Sequence, residues 1–311
     1  MPVKNDSLML APRPRGQRVV SVAVRSSLRD NQGKRGLVFL RRHALFIGVI
    51  LMYAFTWPIY LSAARVLPIR FPYFMYWLPG WGFVLASVLM TALVLGASGV
   101  GSLLKRYLMW RVGWKWYAAL LIIPAVDVAG IFLHAAFTQT RPDFGSSALV
   151  RIFGVSPNLA LFAISGFVME TIANGEEIGW RGYALPRLQN RYHALYSAIV
   201  VGLIWSLWHI PLWWHSWNPV AYAWYTLGVF AKSVFITWIY NGTGGSLLLV
   251  ALCHSMWNTL GSLLPLTGSV SPSDIGTLAV IILVEVAVAA VITLAAGPAH
   301  LSRTRQRQVQ A

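Results

Sequence analysis

ALYSAIVVGLIWSLWHIPLWW, residues 194–214, is apolar along most of its length yet carries His209 and Pro211 close to its end. A helix needs about 20 apolar residues to cross the hydrocarbon of a bilayer, and this run supplies them. Seven other stretches read the same way, at roughly 43–64, 75–97, 115–137, 158–175, 220–240, 245–264 and 275–297. The expected fold is all-α, a polytopic transmembrane helix bundle of about eight spans. The runs at 194–214, 220–240 and 245–264 are joined by short loops and should pack as antiparallel neighbours.

Composition agrees. The chain of 311 residues is 57% hydrophobic and only 11% charged, where a soluble domain carries about 25% charged residues. Its 15 tryptophans suit membrane interfaces. The formal charge of +16 would suggest nucleic acid if the charge were spread evenly, but it is not. Ten of the 25 Lys and Arg precede residue 43. Others gather at Lys105, Arg106, Arg111 and Lys115, at Arg181, Arg187 and Arg191, and at Arg303, Arg305 and Arg307. With the N-terminus inside, all four groups fall on the cytoplasmic side, and an even number of spans returns the C-terminus there. This positive-inside pattern explains the basicity without a nucleic-acid partner.

Residues 1–42 read as a basic, disordered cytoplasmic tail without the apolar segment of a cleaved signal. Residues 43–297 read as the membrane domain and 298–311 as a second basic tail. The single cysteine, Cys253, permits no intrachain disulfide. Arg141-Pro142-Asp143-Phe144-Gly145 is a turn-forming stretch.

Polar groups inside apolar spans are costly, at least about 2.5–3.5 kcal/mol for a charge, so their positions are informative. Three stations stand out. In the first, Glu176 and Glu177 are followed by Arg181. Glu177 and Arg181, four apart, can pair on one helix face, which leaves Glu176 turned about 100° away and free to point into the bundle. The second is His209 with Trp205 one turn before it, and Pro211 is expected to kink that helix. The third is His254 and Asn258, again four apart, on a run entered through Gly242, Gly244 and Gly245. Each has a plain structural explanation alone: a solvated helix end, a histidine bonded to a backbone carbonyl, interhelical polar packing. Together, on neighbouring spans, they suggest one buried site at which a carboxylate and imidazoles activate water and His254 and Asn258 face a developing oxyanion.

The Glu-Glu-x-x-x-Arg at 176–181, the aromatic-x-x-x-His at 205–209 and the His-x-x-x-Asn at 254–258 resemble the three motifs of the CPBP intramembrane proteases. That family includes CAAX prenyl endopeptidases and Abi-like bacterial homologues linked to bacteriocin processing or self-immunity. The resemblance covers about residues 158–264. One departure is Trp205, where the family often has Phe. The resemblance implies an endopeptidase embedded in a bacterial plasma membrane, cleaving a membrane-associated peptide or protein. It implies Glu176 as general base, His209 as its assistant on the same water, and His254 with Asn258 as the oxyanion hole. Glu177, Arg181 and Trp205 would support them. The family is often labelled metalloprotease, although a glutamate-driven mechanism without metal is also proposed for it. No His-Glu-x-x-His helix is present, so no obligatory cofactor is expected. Were zinc bound, Glu176, His209 and His254 would be its ligands.

Asp127, Glu170 and Glu285 are further acidic residues in or near spans, Glu170 at the cavity mouth. Lys232 is read as snorkelling to an interface. Cys253 points about 100° away from His254 on a helix and is read as packing. Two other functions compete with proteolysis. One is a transporter or proton relay built on the same polar residues. The other is a non-catalytic immunity or scaffold protein.

Overall fold

A computed structural model describes residues 15–72, 74–75, 80–173, 175–265, 270–271 and 274–302. Residues 1–14 and 303–311, with the basic group Arg303, Arg305 and Arg307, lie outside the described residues. Two compact units divide the chain, 1–44 and 45–311; helix α1 starts in the first, and the second holds the cavities and side-chain contacts described below.

The fold is all-helical apart from a two-residue antiparallel pairing of Val270–Ser271 with Asp274–Ile275. The principal helices are α1 (Arg15–Ala63), α2 (Trp81–Lys105), α3 (Trp114–Ala119), α4 (Ile122–Thr138), α5 (Ala148–Phe153), α6 (Pro157–Ala173), α7 (Leu185–Gln189), α8 (Ala194–Trp208), α9 (Pro219–Gly242), α10 (Leu247–Leu263) and α11 (Thr277–Ala296). Helix α1 starts at Arg15, within the stretch read from sequence as a tail. No proline interrupts the chain between Pro14 and Pro58, so nothing in the covalent chain forces the helix to stop there.

Among the described residues, five helical stretches are long and apolar enough to cross a membrane: Gly36–Ala63, Trp81–Leu108, Trp114–Thr138, Pro219–Gly242 and Thr277–Ala296. Three shorter apolar helices, Pro157–Ile172, Ala194–Trp208 and Leu247–Leu263, complete the set. Each of the short ones carries one of the polar stations or runs into it. Their outward surfaces are those of a multi-pass membrane protein: Leu85 is 60% exposed, and Leu89 and Leu93 follow at helical spacing on the same face of α2. Such a row of exposed leucines needs a hydrocarbon partner.

Helix α9 is the central post, packed against α8, α10 and α11. Small side chains let these helices approach closely. Ala194, Ala198, Ala231 and Ala289 line the contacts beside Val234. Helix α11 also packs on α4, where Gly130 sits so near Ile281 that a Cβ at 130 would lie 2.3 Å from Ile281 Cγ1. Between α9 and α10 the chain turns through Gly244 and Gly245, at φ of 72° and 95°. Those backbone angles favour glycine, as the turn read from sequence requires. Gly242 serves another purpose: it ends α9 against the ring of Trp116, with no room for a Cβ.

Two expectations change. The run at 194–214 is not one kinked helix: α8 ends at Trp208, and Ile210–Trp213 form a 3-10 turn. Proline at 211 cannot donate to the preceding turn, so the helix ends there instead of bending. His209 is therefore the C-terminal cap of α8, not a mid-helix residue. The first station is α-helical only at Glu176 and Glu177. Ile178–Ala184 form a π-helical turn, a widened geometry frequent at functional sites.

Candidate active site

The π-helical turn is fully buried, and its packing leaves little freedom. A Cβ at Gly175 would lie 2.3 Å from the carbonyl oxygen of Gly80, and one at Gly179 would lie 2.6 Å from the ring of Phe83. Phe83 meets Trp180 and Trp208 edge to face, at 4.7 and 5.0 Å between centroids. The backbone that presents Glu176 and Glu177 is thus seated on α2 by contacts that admit only hydrogen at two positions.

Glu177 and Arg181 are both 0% exposed, and Arg181 Nη1 donates to both oxygens of Glu177, at 2.9 and 3.2 Å. Arg181 Nη2 reaches Ser233 Oγ on α9 at 3.2 Å, and that hydroxyl donates to the Ala198 carbonyl on α8 at 2.6 Å. Arg181 therefore does not belong with the loop charges among which its sequence position placed it. It is the centre of a buried network that ties the π turn to α8 and α9. His254 joins the same network through Nδ1, 2.9 Å from Glu177 Oε1. A carboxylate oxygen accepts, so Nδ1 carries the proton.

Glu176 points the other way. Its Oε2 accepts a hydrogen bond from Trp205 Nε1 at 3.1 Å. Trp205 is the hub of the site. Its ring centroid lies 5.1 Å from that of His254 and 6.2 Å from that of His209, and Arg181 Cζ sits 5.0 Å from it. Its backbone carbonyl accepts from His209 Nδ1 at 2.8 Å, which leaves Nε2 of His209 as an acceptor. The ring of His209 is fixed edge-on between Trp208 and Tyr225, at 4.6 and 5.3 Å. Helix α1 braces this end of α8, with Trp208 Nε1 donating to Thr56 Oγ1 at 2.7 Å and Trp57 Nε1 to the Trp208 carbonyl at 3.0 Å.

Glu176, Trp205, His209, His254 and Asn258 line one cavity of ≈ 170 Å³. Glu177 and Arg181 stand behind it. Asn258 Nδ2 donates to Glu170 Oε1 at 2.6 Å, which orients the amide and leaves its second N–H available. Glu170, placed at the mouth from sequence, holds Asn258.

The opposite wall holds residues that motif spacing did not single out. Lys232, read as snorkelling, is paired: its Nζ lies 2.6 and 2.8 Å from the two oxygens of Glu285, linking α9 to α11. Asp127, 2% exposed, lines the same wall. In each case the signal in the sequence was an ionisable residue in an apolar run, which is a functional candidate by default. Cys253 is fully buried, in keeping with a packing role.

Among the described residues, no three His, Cys, Asp or Glu side chains are grouped closely enough to hold a metal ion. Glu176, His209 and His254 share the cavity, and Nδ1 of each histidine is engaged, one by a carbonyl and one by Glu177, which leaves both Nε2 atoms free.

Two comparisons bear on this arrangement. Residues 156–260 match the family described as Type II CAAX prenyl endopeptidase Rce1-like. The chain is also 31% identical over 168 residues to "CAAX prenyl protease 2" of Methanococcus maripaludis, an alignment covering 51% of this chain and 59% of that protein. The chain thus matches less than two thirds of that relative's length. Both comparisons agree with the CPBP resemblance: residues 156–260, the stretch that is similar to the Rce1-like CAAX prenyl endopeptidase family, hold all three motifs.

Proposed function

We propose that this protein is an intramembrane endopeptidase that cleaves a membrane-associated peptide with water activated by Glu176. The observation that carries the reading is the shared cavity, where carboxylate, two imidazoles and an amide from separate elements converge. Glu176 takes one proton from water while the remaining O–H donates a hydrogen bond to Nε2 of His209, which orients the attacking lone pair. The water oxygen attacks the scissile carbonyl, and the resulting oxyanion lies between Asn258 Nδ2 and His254 Nε2. With Nδ1 directed at Glu177, His254 can donate from Nε2 only as an imidazolium. The buried carboxylate of Glu177 is the counter-charge such an imidazolium needs. Glu176 then returns its proton to the departing amine as the C–N bond breaks.

The names of the matched family and relative favour a prenylated peptide as substrate, and the distribution of basic residues favours a site reached from the cytoplasmic side. The test is reconstitution in liposomes with a prenylated peptide and its unmodified twin. Cleavage of the prenylated peptide by wild type, absent in Glu176→Ala of equal thermal stability, supports the reading. Full cleavage by Glu176→Ala overturns it. The presence of Asp127, Lys232 and Glu285 in the same cavity favours a second reading, a proton or ion relay. Flux into proteoliposomes without hydrolysis would select that one.

A further inference from the structure

Away from the catalytic cavity, a second cavity of ≈ 260 Å³ opens between α2 and the segment that follows the first motif. Its wall contains the guanidinium-bearing residues Arg106 and Arg187 and the hydroxyls of Thr91, Ser98 and Ser102, with Leu95 and Leu103 beside them. The two arginines belong to different basic groups of the sequence, and the fold brings them to one place.

Each arginine is anchored without being neutralised. Arg106 Nη1 donates to Tyr240 Oη at 2.8 Å. Arg187 Nη1 donates to the Tyr183 carbonyl at 2.9 Å, with Cζ 3.7 Å from the Tyr183 ring centroid. Among the described residues, neither has a carboxylate partner. A guanidinium has five N–H donors, and these contacts leave most of them unused. Burial lowers the pKa of Arg187, Tyr183 opposes that, and the charge of Arg106 lowers it again. Ser102 Oγ donates to the Ser98 carbonyl at 2.9 Å and Ser98 Oγ faces the Leu95 carbonyl at 3.5 Å, so the donors left for a ligand are chiefly those of the guanidinium groups. Two partly buried cations with no counter-charge make an anion site in want of its anion.

Several features favour phosphate chemistry. Two guanidinium forks match a tetrahedral, multiply accepting oxyanion better than a single carboxylate. Helix α2 breaks at Gly96, with φ of 71° inside the helix, which turns Ser98 and Gly99 towards the cavity. Leu95, 41% exposed, lines the cavity itself and offers an acyl chain an apolar contact beside the cations. Basic pockets at the ends of membrane helices are suited to anionic headgroups.

We infer that the cavity between Arg106 and Arg187 binds a phosphate group, delivered by an anionic phospholipid whose chains lie along α2. The site also touches the motif region. Gly182, which follows Arg181, lines the cavity, and a Cβ there would meet Leu103 at 2.8 Å. A bound headgroup would therefore clamp the π-helical turn against α2.

The test uses the full chain in bilayers of phosphatidylcholine mixed with phosphatidylglycerol, with retained lipid read by native mass spectrometry. Wild type should keep phosphatidylglycerol in preference to phosphatidylcholine. Arg106→Gln/Arg187→Gln should lose about tenfold or more of that preference. Ser102→Leu, which fills the cavity from an exposed position on α2, should do the same with an unchanged melting temperature and so decides the matter if the double variant fails to fold. Displacement of the lipid by inorganic phosphate at comparable concentration would assign the site to free phosphate. Equal phosphatidylglycerol retention by wild type and both variants would overturn the inference, as would wild type that binds neither the lipid nor phosphate.

Discussion

Glu177 Oε1 is shared: Arg181 Nη1 and His254 Nδ1 both reach that one oxygen, each at 2.9 Å. Of two adjacent glutamates, one is thereby committed to a buried ionic network, and the other is left to face the cavity with the Trp205 indole as its partner. Adjacent positions on a helical turn point in different directions, so the two carboxylates take different tasks without different chemistry.

The division of labour separates the two glutamates experimentally. Arg181→Ala leaves the Glu177 carboxylate buried without its cation, an arrangement that costs about 3–5 kcal/mol. Thermal unfolding in detergent should show a marked drop for Arg181→Ala and Glu177→Ala. Glu176→Ala should melt within a degree or two of wild type, roughly ±0.5 kcal/mol, while hydrolysis is lost. Equal destabilisation by Glu176→Ala would mean that both carboxylates are structural.

Trp205→Phe keeps the aromatic body and deletes one donor, the Nε1–H that lies 3.1 Å from Glu176 Oε2. A hydrogen bond to a charged acceptor contributes about 1.5–3 kcal/mol. The expected result is a roughly 10- to 100-fold fall in kcat with little change in KM or melting temperature. Unchanged kcat would show that the indole packs between the histidines without positioning Glu176.

The sequence made the site legible wherever spacing along one helix carried the information. The pairing of Glu177 with Arg181 follows from four-residue spacing, and it forms even though the turn is π-helical. The separation of the polar stations onto different apolar runs indicated convergence, and the cavity contains all four motif side chains. Contacts between distant stretches left no such trace. Asn258 finds Glu170 across 88 positions, and Lys232 finds Glu285 across 53. A lone lysine in an apolar run looks like one that snorkels, because its partner sits on another helix. The length of α8 differs from its apolar run for a related reason: hydropathy continues through Ile210 to Trp214, but Pro211 ends the backbone ladder of α8.

The Lys232–Glu285 pair makes its own prediction. Removing one partner strands a charge in a low-dielectric wall, whereas removing both restores an apolar one. Lys232→Met and Glu285→Leu should each lower stability by about 3–5 kcal/mol, and the double variant should recover most of the loss. Chemical or thermal unfolding of the four proteins measures the coupling. Additive losses would show that the pair is hydrated and contributes little. If the double variant folds and still hydrolyses substrate, this wall of the cavity supports the site without touching the reacting atoms.

The approach of α4 to α11 links packing to catalysis. A methyl group at Gly130 would lie 2.3 Å from Ile281 Cγ1 and 2.8 Å from its Cα, so a rotamer change cannot relieve the clash and the helix backbone must move. Overpacking of this kind costs about 1–3 kcal/mol. Ile281 also lines the catalytic cavity, so a displaced α11 widens it and loosens the wall that carries Glu285. Gly130→Ala should therefore lower both the melting temperature and kcat/KM. Gly101→Ala is the control, since no atom lies within 4 Å of a Cβ there. In an exposed helix that change should be neutral or stabilising by up to about 1 kcal/mol. If the two alanine variants behave alike, α4 and α11 tolerate a wider spacing, and their close contact is not what shapes the cavity.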